Sequence, residues 1–148
     1  MSPSYELLAV FEGGRIFTFR FVNLQDSLQL GFRISLPDAP LMARTELDAA
    51  LTPDNPAVYL RESQAGFPVG KITLPELTVK RDGNITNCKL KIPAKLLGTK
   101  AFEPSARIGF SLVINDNDGK GRKGFLYRGN GIGVGEKDPR RYGTLILK

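Results

Sequence analysis

The most chemically suggestive stretch of the chain is residues 114–124, which read INDNDGKGRKG. Asn115, Asp116, Asn117 and Asp118 place four oxygen donors directly before a glycine, and Ca²⁺ prefers such hard oxygen ligands. The EF-hand pattern is not met, because no Glu stands at the twelfth loop position and no helix pair is predicted around the loop. Two interpretations stay open: a structural Ca²⁺ held through Asp116 and Asp118, or a turn whose side chains bond nearby backbone amides.

The composition removes several other kinds of reactive site. The chain contains no histidine, so His-based catalytic triads and the commonest metal ligand are absent. Cys88 is the single cysteine, and its alternation with Leu90 and Ile92 predicts a small buried side chain on a strand. No spacing among the 15 acidic residues singles out a catalytic acid and base. We therefore expect no enzyme activity.

A glycine-rich stretch, GNGIGVG at 129–135, has the spacing of some phosphate-binding loops. The dinucleotide fingerprint requires a strand before the glycines and a helix after them, whereas KDPRRYG and a predicted strand follow here. The stretch is better interpreted as an irregular loop that needs glycine for its backbone. Net charge is +6, but the cations are spread along the chain without a basic stripe, so no nucleic-acid partner is predicted.

Alternation of apolar and polar residues with period two predicts strands along most of the chain. The pattern is clearest in RIFTFRFVN, LQLGFRISL, RIGFSLVIN and the final YGTLILK, and weaker in YELLAVF, AVYLR, KITLPELTVK and NITNCKLKI. The pair Asp82-Gly83 predicts a hairpin turn. Two stretches look helical: ARTELDAAL at 43–51, for one or two turns, and IPAKLLG at 92–98, for one turn ended by Gly98.

Eight or so strands with almost no helix predict an all-β fold, an antiparallel β-sandwich with jelly-roll or Greek-key connections. At most one or two short helical turns are expected. The 148 residues suit a single module spanning 1–148, and no apolar run approaches the ~20 residues of a membrane span. The start, MSPSYELLAVFEGG, lacks signal-peptide features, so we expect either a cytosolic protein or, as we favour, a module excised from a longer secreted one.

The C-terminal part of the chain, residues 92–148, resembles a known family. The order of NDND, glycines with basic residues, GF, a glycine-rich loop and KDPRRYGTLIL is similar to the C-terminal half of family 9 carbohydrate-binding modules. IPAKLLG resembles the turn before it in those domains, with Ala94 in place of an aromatic residue. The resemblance implies a β-sandwich that binds sugar without catalysis, and that targets an attached bacterial polysaccharide-degrading enzyme to its glycan. It also supports the calcium interpretation.

The family clamps a terminal sugar between aromatic rings, often Trp, but this chain contains no Trp. Glu136 stands where the family has a binding aromatic, directly before Lys137-Asp138-Pro139. The expected ligand-binding set is therefore Tyr127, whose ring would stack on a sugar, with Arg128, Asn130 and Glu136 for the hydroxyl groups.

Other residues near these loops have simpler structural interpretations. Phe125 and Tyr142 begin predicted strands, so core positions are expected for them, and Tyr59 and Phe67 are further rings near the loops. Asp138 is expected to accept backbone N–H bonds in a turn fixed by the proline that follows it.

The expected partner is a polysaccharide or oligosaccharide, and the basic balance would suit an acidic one. A catalytic domain of the same parent chain is a second expected partner, while nucleic acid and membrane are not. We expect a monomer in an extracellular or secreted setting. The alternative is a structural or interaction β-sandwich that packs on a neighbouring domain and has no sugar site, and the lack of Trp favours that alternative.

Overall fold

The structure is a computed structural model that describes residues 5–10, 16–22, 27–52, 54–83, 85–103, 105–117, 122–132 and 136–147. Side chains are described from residue 27 onward, apart from those of residues 85, 116, 117 and 122–127.

Eleven strands and two 3₁₀ turns lie within the described residues. The strands are β1 (Tyr5–Val10), β2 (Ile16–Val22), β3 (Ser27–Arg33), β4 (Thr45–Ala50), β5 (Ala57–Glu62), β6 (Gly70–Ile72), β7 (Glu76–Asp82), β8 (Ile85–Lys91), β9 (Arg107–Asn117), β10 (Arg122–Arg128) and β11 (Gly143–Ile146). The 3₁₀ turns are Ala94–Leu97 and Pro139–Arg141. No helix of the described residues has the length or the apolar character needed to cross a membrane.

The strands form two antiparallel sheets. The small sheet has four strands in the order β1-β2-β8-β7. The large sheet has seven, in the order β10-β9-β3-β4-β5-β6, and β11 also pairs with β9. Side chains from both sheets share one apolar cluster, so the sheets pack face to face. The predicted all-β sandwich is confirmed.

The core follows the alternation of the strands. Leu28, Leu30 and Phe32 of β3 are fully buried, and so is Leu90 of the small sheet. Phe32 packs on Phe110 with ring centroids 5.3 Å apart. Each such side chain contributes roughly 1.5–3 kcal/mol by leaving water. The residues between them consequently lie on the outer faces of the sheets.

The helical prediction for 43–51 is wrong, because this stretch contains β4. Ala, Leu and Glu favour a helix, but the preference is small and pairing overrides it. Leu47 and Ala49 are completely buried in the core, and β4 pairs with β3 on one side and β5 on the other. Glu46 and Asp48 are thereby placed on the outer face of the large sheet.

Two other boundaries also differ from expectation. KITLPELTVK, predicted as one strand, divides into β6 of the large sheet and β7 of the small sheet. Pro75, which has no N–H to donate, stands just before β7. The strand predicted from LQLGFRISL ends at Arg33, and Leu36 is exposed instead of buried.

The turn predictions are confirmed. Asp82 pairs with Ile85 across the β7–β8 hairpin, and Gly83 has a φ of 59°. The 3₁₀ turn at Ala94–Leu97 ends at Gly98, whose φ of 90° is left-handed and whose N–H donates to the Lys95 carbonyl.

The prediction for Cys88 is also confirmed, since the side chain is only 1% exposed. Burial raises the pKa of its thiol to about 12, so the reactive thiolate is almost unpopulated at neutral pH.

We expect a disulfide reagent to label Cys88 only after unfolding, with labelling and circular dichroism showing the same denaturant midpoint. Labelling of the native protein at the rate of a free thiol would contradict the buried position.

Candidate functional site

One row on the outer face of the large sheet is buried over three of its four strands. Ser111 of β9, Gly31 of β3, Glu46 of β4 and Glu62 of β5 are successive Cα partners, and the first three are buried while Glu62 is exposed. On β9, β3 and β4 this row alternates with residues that face the core, so it faces away from the core. Ser111 is fully buried and Glu46 is 3% exposed. Another segment must therefore cover this part of the face.

The covering segment is the C-terminal loop, residues 129–132 and 136–142. Tyr142 lies directly over Gly31, because a Cβ added to Gly31 would stand 2.4 Å from the Tyr142 hydroxyl oxygen. The Ser111 hydroxyl donates to the Asn130 carbonyl at 2.7 Å. Within the loop, the Asp138 N–H donates to the Gly131 carbonyl at 3.0 Å. These contacts hold the loop against β3 and β9.

The backbone of the C-terminal loop requires glycine at Gly129 and Gly131, with φ of 76° and 81°. A Cβ on Gly131 would stand 2.0 Å from the Asp138 carbonyl oxygen. The Asp138 carboxylate accepts the Arg140 N–H at 3.0 Å and pairs with its guanidinium at 2.8 Å. The predictions of an irregular glycine loop and of a turn capped by Asp138 are both confirmed for the described residues.

The Glu46 carboxylate joins the loop to the sheet. Its Oε1 accepts from Arg44 Nε at 2.6 Å and its Oε2 from Lys137 Nζ at 2.6 Å. Burial by itself would raise the pKa of Glu46, but the two hydrogen bonds and two positive charges outweigh burial and hold the pKa below its ordinary value. Glu46 is therefore ionised at neutral pH, in an ion triad with Arg44 and Lys137.

The Tyr142 hydroxyl sits beside this triad. It is buried and has no hydrogen-bond partner among the described residues. Burial, with the negative charge of Glu46 as the next cause, raises the pKa of Tyr142, so the hydroxyl is neutral. An unsatisfied buried hydroxyl costs stability, and the packing of the ring on Gly31 offsets that cost.

Beyond the loop, the outer face over β4 and β5 is accessible to solvent, since Asp48 and Tyr59 are half-buried and Arg61 is exposed. We name this region the shelf, and it consists of Asp48, Tyr59 and Arg61. Asp48 and Tyr59 are Cα partners, and Arg61 Nε donates to Asp48 Oδ2 at 2.7 Å. The Arg61 guanidinium carbon lies 5.8 Å from the Tyr59 ring centroid, and the Arg61 side chain is 58% exposed. An aromatic ring flanked by a carboxylate and a guanidinium can contact both the C–H face and the hydroxyl groups of a sugar.

A groove of about 340 Å³ lies in the connection between β3 and β4, lined by Leu36 to Pro40 and by Gln64. Gln64 fixes the start of this connection, because its side chain exchanges two hydrogen bonds with the Ile34 backbone at 2.7 and 3.1 Å. Leu41 is 60% exposed. The groove thus has an apolar rim on the side where the chain enters β4.

The structure divides the predicted ligand-binding set between the edge strand β10 and the C-terminal loop. Arg128, Asn130 and Glu136 are exposed, at the end of β10 and in the C-terminal loop. Tyr127 is paired with Val113 through the backbone of β10, but its side chain is outside the described residues. The four residues remain a prediction. For Phe125 too the backbone is described and the side chain is not, so its expected core position stays a prediction.

The first residues of the expected calcium loop belong to a strand. β9 continues to Asn117, so Asn115 belongs to a strand, where its side chain donates to the Ser27 hydroxyl at 3.3 Å. Asp118 and the Asp116 side chain lie outside the described residues. The described part of the chain contains no group of three or more His, Cys, Asp or Glu side chains that could hold a metal. The calcium site at Asp116 and Asp118 therefore stays a prediction.

The ion triad was not predicted, because Arg44 and Glu46 fall in the stretch predicted as a helix. A period-two interpretation of TELDAA places Glu46 and Asp48 together on one face. The sequence indicates Tyr59 only as an available ring, and nothing in it indicates that Asp48 and Arg61 lie beside that ring.

Comparison with solved structures identifies the fold. A family 9 carbohydrate-binding module from Caldicellulosiruptor kristjanssonii in complex with glucose is 14% identical, with a TM-score of 0.65 over 99% of this chain and 76% of that chain. A family 9 module from the same organism in complex with cellotriose is 13% identical, with a TM-score of 0.69 over 100% and 76%. No family model and no curated protein matches the sequence. The resemblance is thus confirmed at the level of fold, over the whole chain and not only residues 92–148.

The contact between Tyr142 and Gly31 gives a pair of expected stability changes. Gly31→Ala should lower the free energy of unfolding by about 1–3 kcal/mol, because the new methyl group displaces the ring. Tyr142→Phe keeps the ring and removes the unsatisfied hydroxyl, so stability should stay equal or rise by up to about 1 kcal/mol. Urea unfolding measures both. If Gly31→Ala leaves the free energy of unfolding unchanged, or if Tyr142→Phe clearly lowers it, the loop is docked differently.

The ion triad gives a pH-dependent prediction. The pKa of Glu46 is lower in the folded state, so its contribution is present above the unfolded pKa of about 4.3 and is lost as pH falls through the folded pKa. Glu46→Gln should cost about 2–4 kcal/mol at pH 7, and the difference from wild type should shrink below about pH 4. The control is Glu76→Gln, in an exposed ion pair, which should cost little at any pH. A Glu46→Gln deficit that does not change with pH would contradict the triad.

Proposed function

We propose that this chain is a non-catalytic carbohydrate-binding module that holds an oligosaccharide or polysaccharide on the outer face of its large sheet. The observation that carries the proposal is the shared fold. It extends over 99% or more of the chain and relates it to modules whose structures contain glucose and cellotriose. The open shelf on that face supports the proposal independently.

The shelf supplies the two kinds of contact that sugars need. The Tyr59 ring offers a flat surface for the C–H face of a pyranose. Asp48 and Arg61 are already joined at 2.7 Å, which holds both groups ready to bind hydroxyl groups. Lys137, whose side chain is 52% exposed, borders the shelf and can bind a further hydroxyl with the donors that Glu46 does not use.

Tyr127 and Arg128 of the predicted set belong to β10, at the opposite edge of the same sheet, while Asn130 and Glu136 belong to the C-terminal loop. Register connects the two places, because Tyr127, Val113, Gln29, Asp48 and Tyr59 are successive Cα partners. Four strand spacings separate Tyr127 from Tyr59, roughly 19 Å. A short sugar therefore binds one place or the other, and substitutions distinguish them.

We extend the proposal to the setting of the module. It targets an attached polysaccharide-degrading enzyme of a secreted bacterial protein to its glycan, and a structural Ca²⁺ at Asp116 and Asp118 stabilises the end of β9. The support for this setting is the C-terminal resemblance alone.

Binding to the shelf is tested with the isolated domain, by titration with cellotriose and by electrophoresis in gels that contain neutral or acidic polysaccharides, with and without a calcium chelator. Tyr59→Ala should weaken binding by about tenfold or more, because it removes the stacking surface. Tyr59→Phe keeps the ring and should stay within a few-fold of wild type. Tyr127→Ala should have little effect. If Tyr127→Ala abolishes sugar binding and Tyr59→Ala does not, the site lies at the predicted set. If none of the sugars binds to the domain, the proposal is refuted.

The second candidate is an interaction module that packs on a neighbouring domain. One observation favours it: Leu36, Leu41 and Met42 are 43%, 60% and 41% exposed in the connection between β3 and β4. This candidate predicts that no polysaccharide retards the domain. It also predicts that Leu41→Ser weakens its association with the adjoining domain of the parent chain.

A further inference from the structure

A second area of the outer face of the large sheet lies on the other side of the C-terminal loop. Gly109 of β9 is the Cα partner of Arg33 on one side and of Thr144 on the other. Arg107 stands two residues before Gly109 on the same strand. The core residues Ile108 and Phe110 alternate with these positions, so Arg33, Arg107, Gly109 and Thr144 share the outer face.

Gly109 marks a place where two strands approach each other closely. It has no side chain, and an added Cβ would stand only 3.0 Å from Arg33 Cβ and 3.4 Å from the Arg33 carbonyl oxygen, so β3 occupies the space that a side chain would need. We name the surface around Gly109 the notch. Arg33 borders it on β3, Arg107 on β9 and the Thr144 hydroxyl on β11.

Neither arginine has an ion-pair partner among the described residues. Neither guanidinium forms a hydrogen bond with another residue in the part of the chain that the structure describes. Arg33 is half-buried and Arg107 is exposed. Diagonal neighbours on adjacent strands have Cα atoms roughly 7–8 Å apart, so both guanidinium groups reach the same small ligand. Two unpaired arginines at that separation concentrate positive charge over the notch.

We propose that this notch binds the carboxylate of an acidic sugar, with Arg33 and Arg107 as the charged ligands and Thr144 as a hydroxyl donor. A guanidinium binds a planar oxyanion through two parallel hydrogen bonds, which lysine cannot do. The rest of a sugar ring would then lie above Thr144 and the exposed Ile146. The proposal rests on the proposed function, because it names the class of glycan, but it uses a different place on the sheet.

A flat basic surface for nucleic acid is a poorer match to the notch. Binding of single strands relies on aromatic side chains for base stacking, and none of the four residues that form the notch is aromatic. A duplex needs a row of phosphate contacts, whereas the notch offers one pair of neighbouring cations.

The test is titration with glucuronate and, separately, with glucose, followed by NMR of the Arg Nε–Hε groups and of the Thr144 and Gly109 amides. Glucuronate should shift these signals and glucose should not. Arg33→Gln and Arg107→Gln should each weaken glucuronate binding about tenfold, and Thr144→Val about threefold. Lys95→Gln and Lys100→Gln change the net charge equally at exposed positions elsewhere, and should stay within about twofold of wild type.

The outcomes separate this proposal from the proposed function. Shifts with glucuronate that survive Tyr59→Ala support the notch. Cellotriose binding without any response to glucuronate overturns the notch and leaves the shelf standing. An equal loss in the lysine controls would show only a general charge effect, and also overturns it. Tighter binding of a short DNA duplex through the same arginines would overturn it in favour of nucleic acid.

Discussion

The ion triad of Arg44, Glu46 and Lys137 is the interaction on which the functional surface depends. A carboxylate that is 4% exposed on the outer face of a sheet is stable only if cations reach it, and one of the two cations comes from the C-terminal loop. The triad therefore fixes the loop against β4, while the Tyr142 ring fixes it against Gly31 of β3. Glu46 and Gly31 are Cα partners, so both contacts act on one row of the sheet.

The C-terminal loop lies between two areas of the outer face of the large sheet. On the β4–β5 side lies the shelf with Tyr59, and on the β9–β11 side lies the notch with Arg33 and Arg107. The shelf offers an aromatic ring, whereas the notch has two arginines without an ion-pair partner among the described residues. A glycan that carries both neutral and acidic sugars would therefore meet different chemistry in the two areas, although one sheet positions both.

The sequence was sufficient to predict the fold class. The period-two alternation of β3 and β9 corresponds to side chains that are buried in the structure, namely Leu28, Leu30, Phe32, Ile108 and Phe110. It failed at β4, where helix-favouring residues are held in a strand by two neighbours that lie far away in sequence. That error hid Glu46 and Asp48, the two carboxylates that organise the site. The pairing of Gly109 with both Arg33 and Thr144 depends on strand order, which alternation alone does not determine.

The account is tested most directly by mapping cellotriose onto the isotopically labelled domain by amide NMR. The shelf predicts that the largest shifts occur at Asp48, Tyr59 and Arg61, with smaller ones at Lys137. Shifts confined to residues 128–136, or no saturable shift at any concentration, would contradict it.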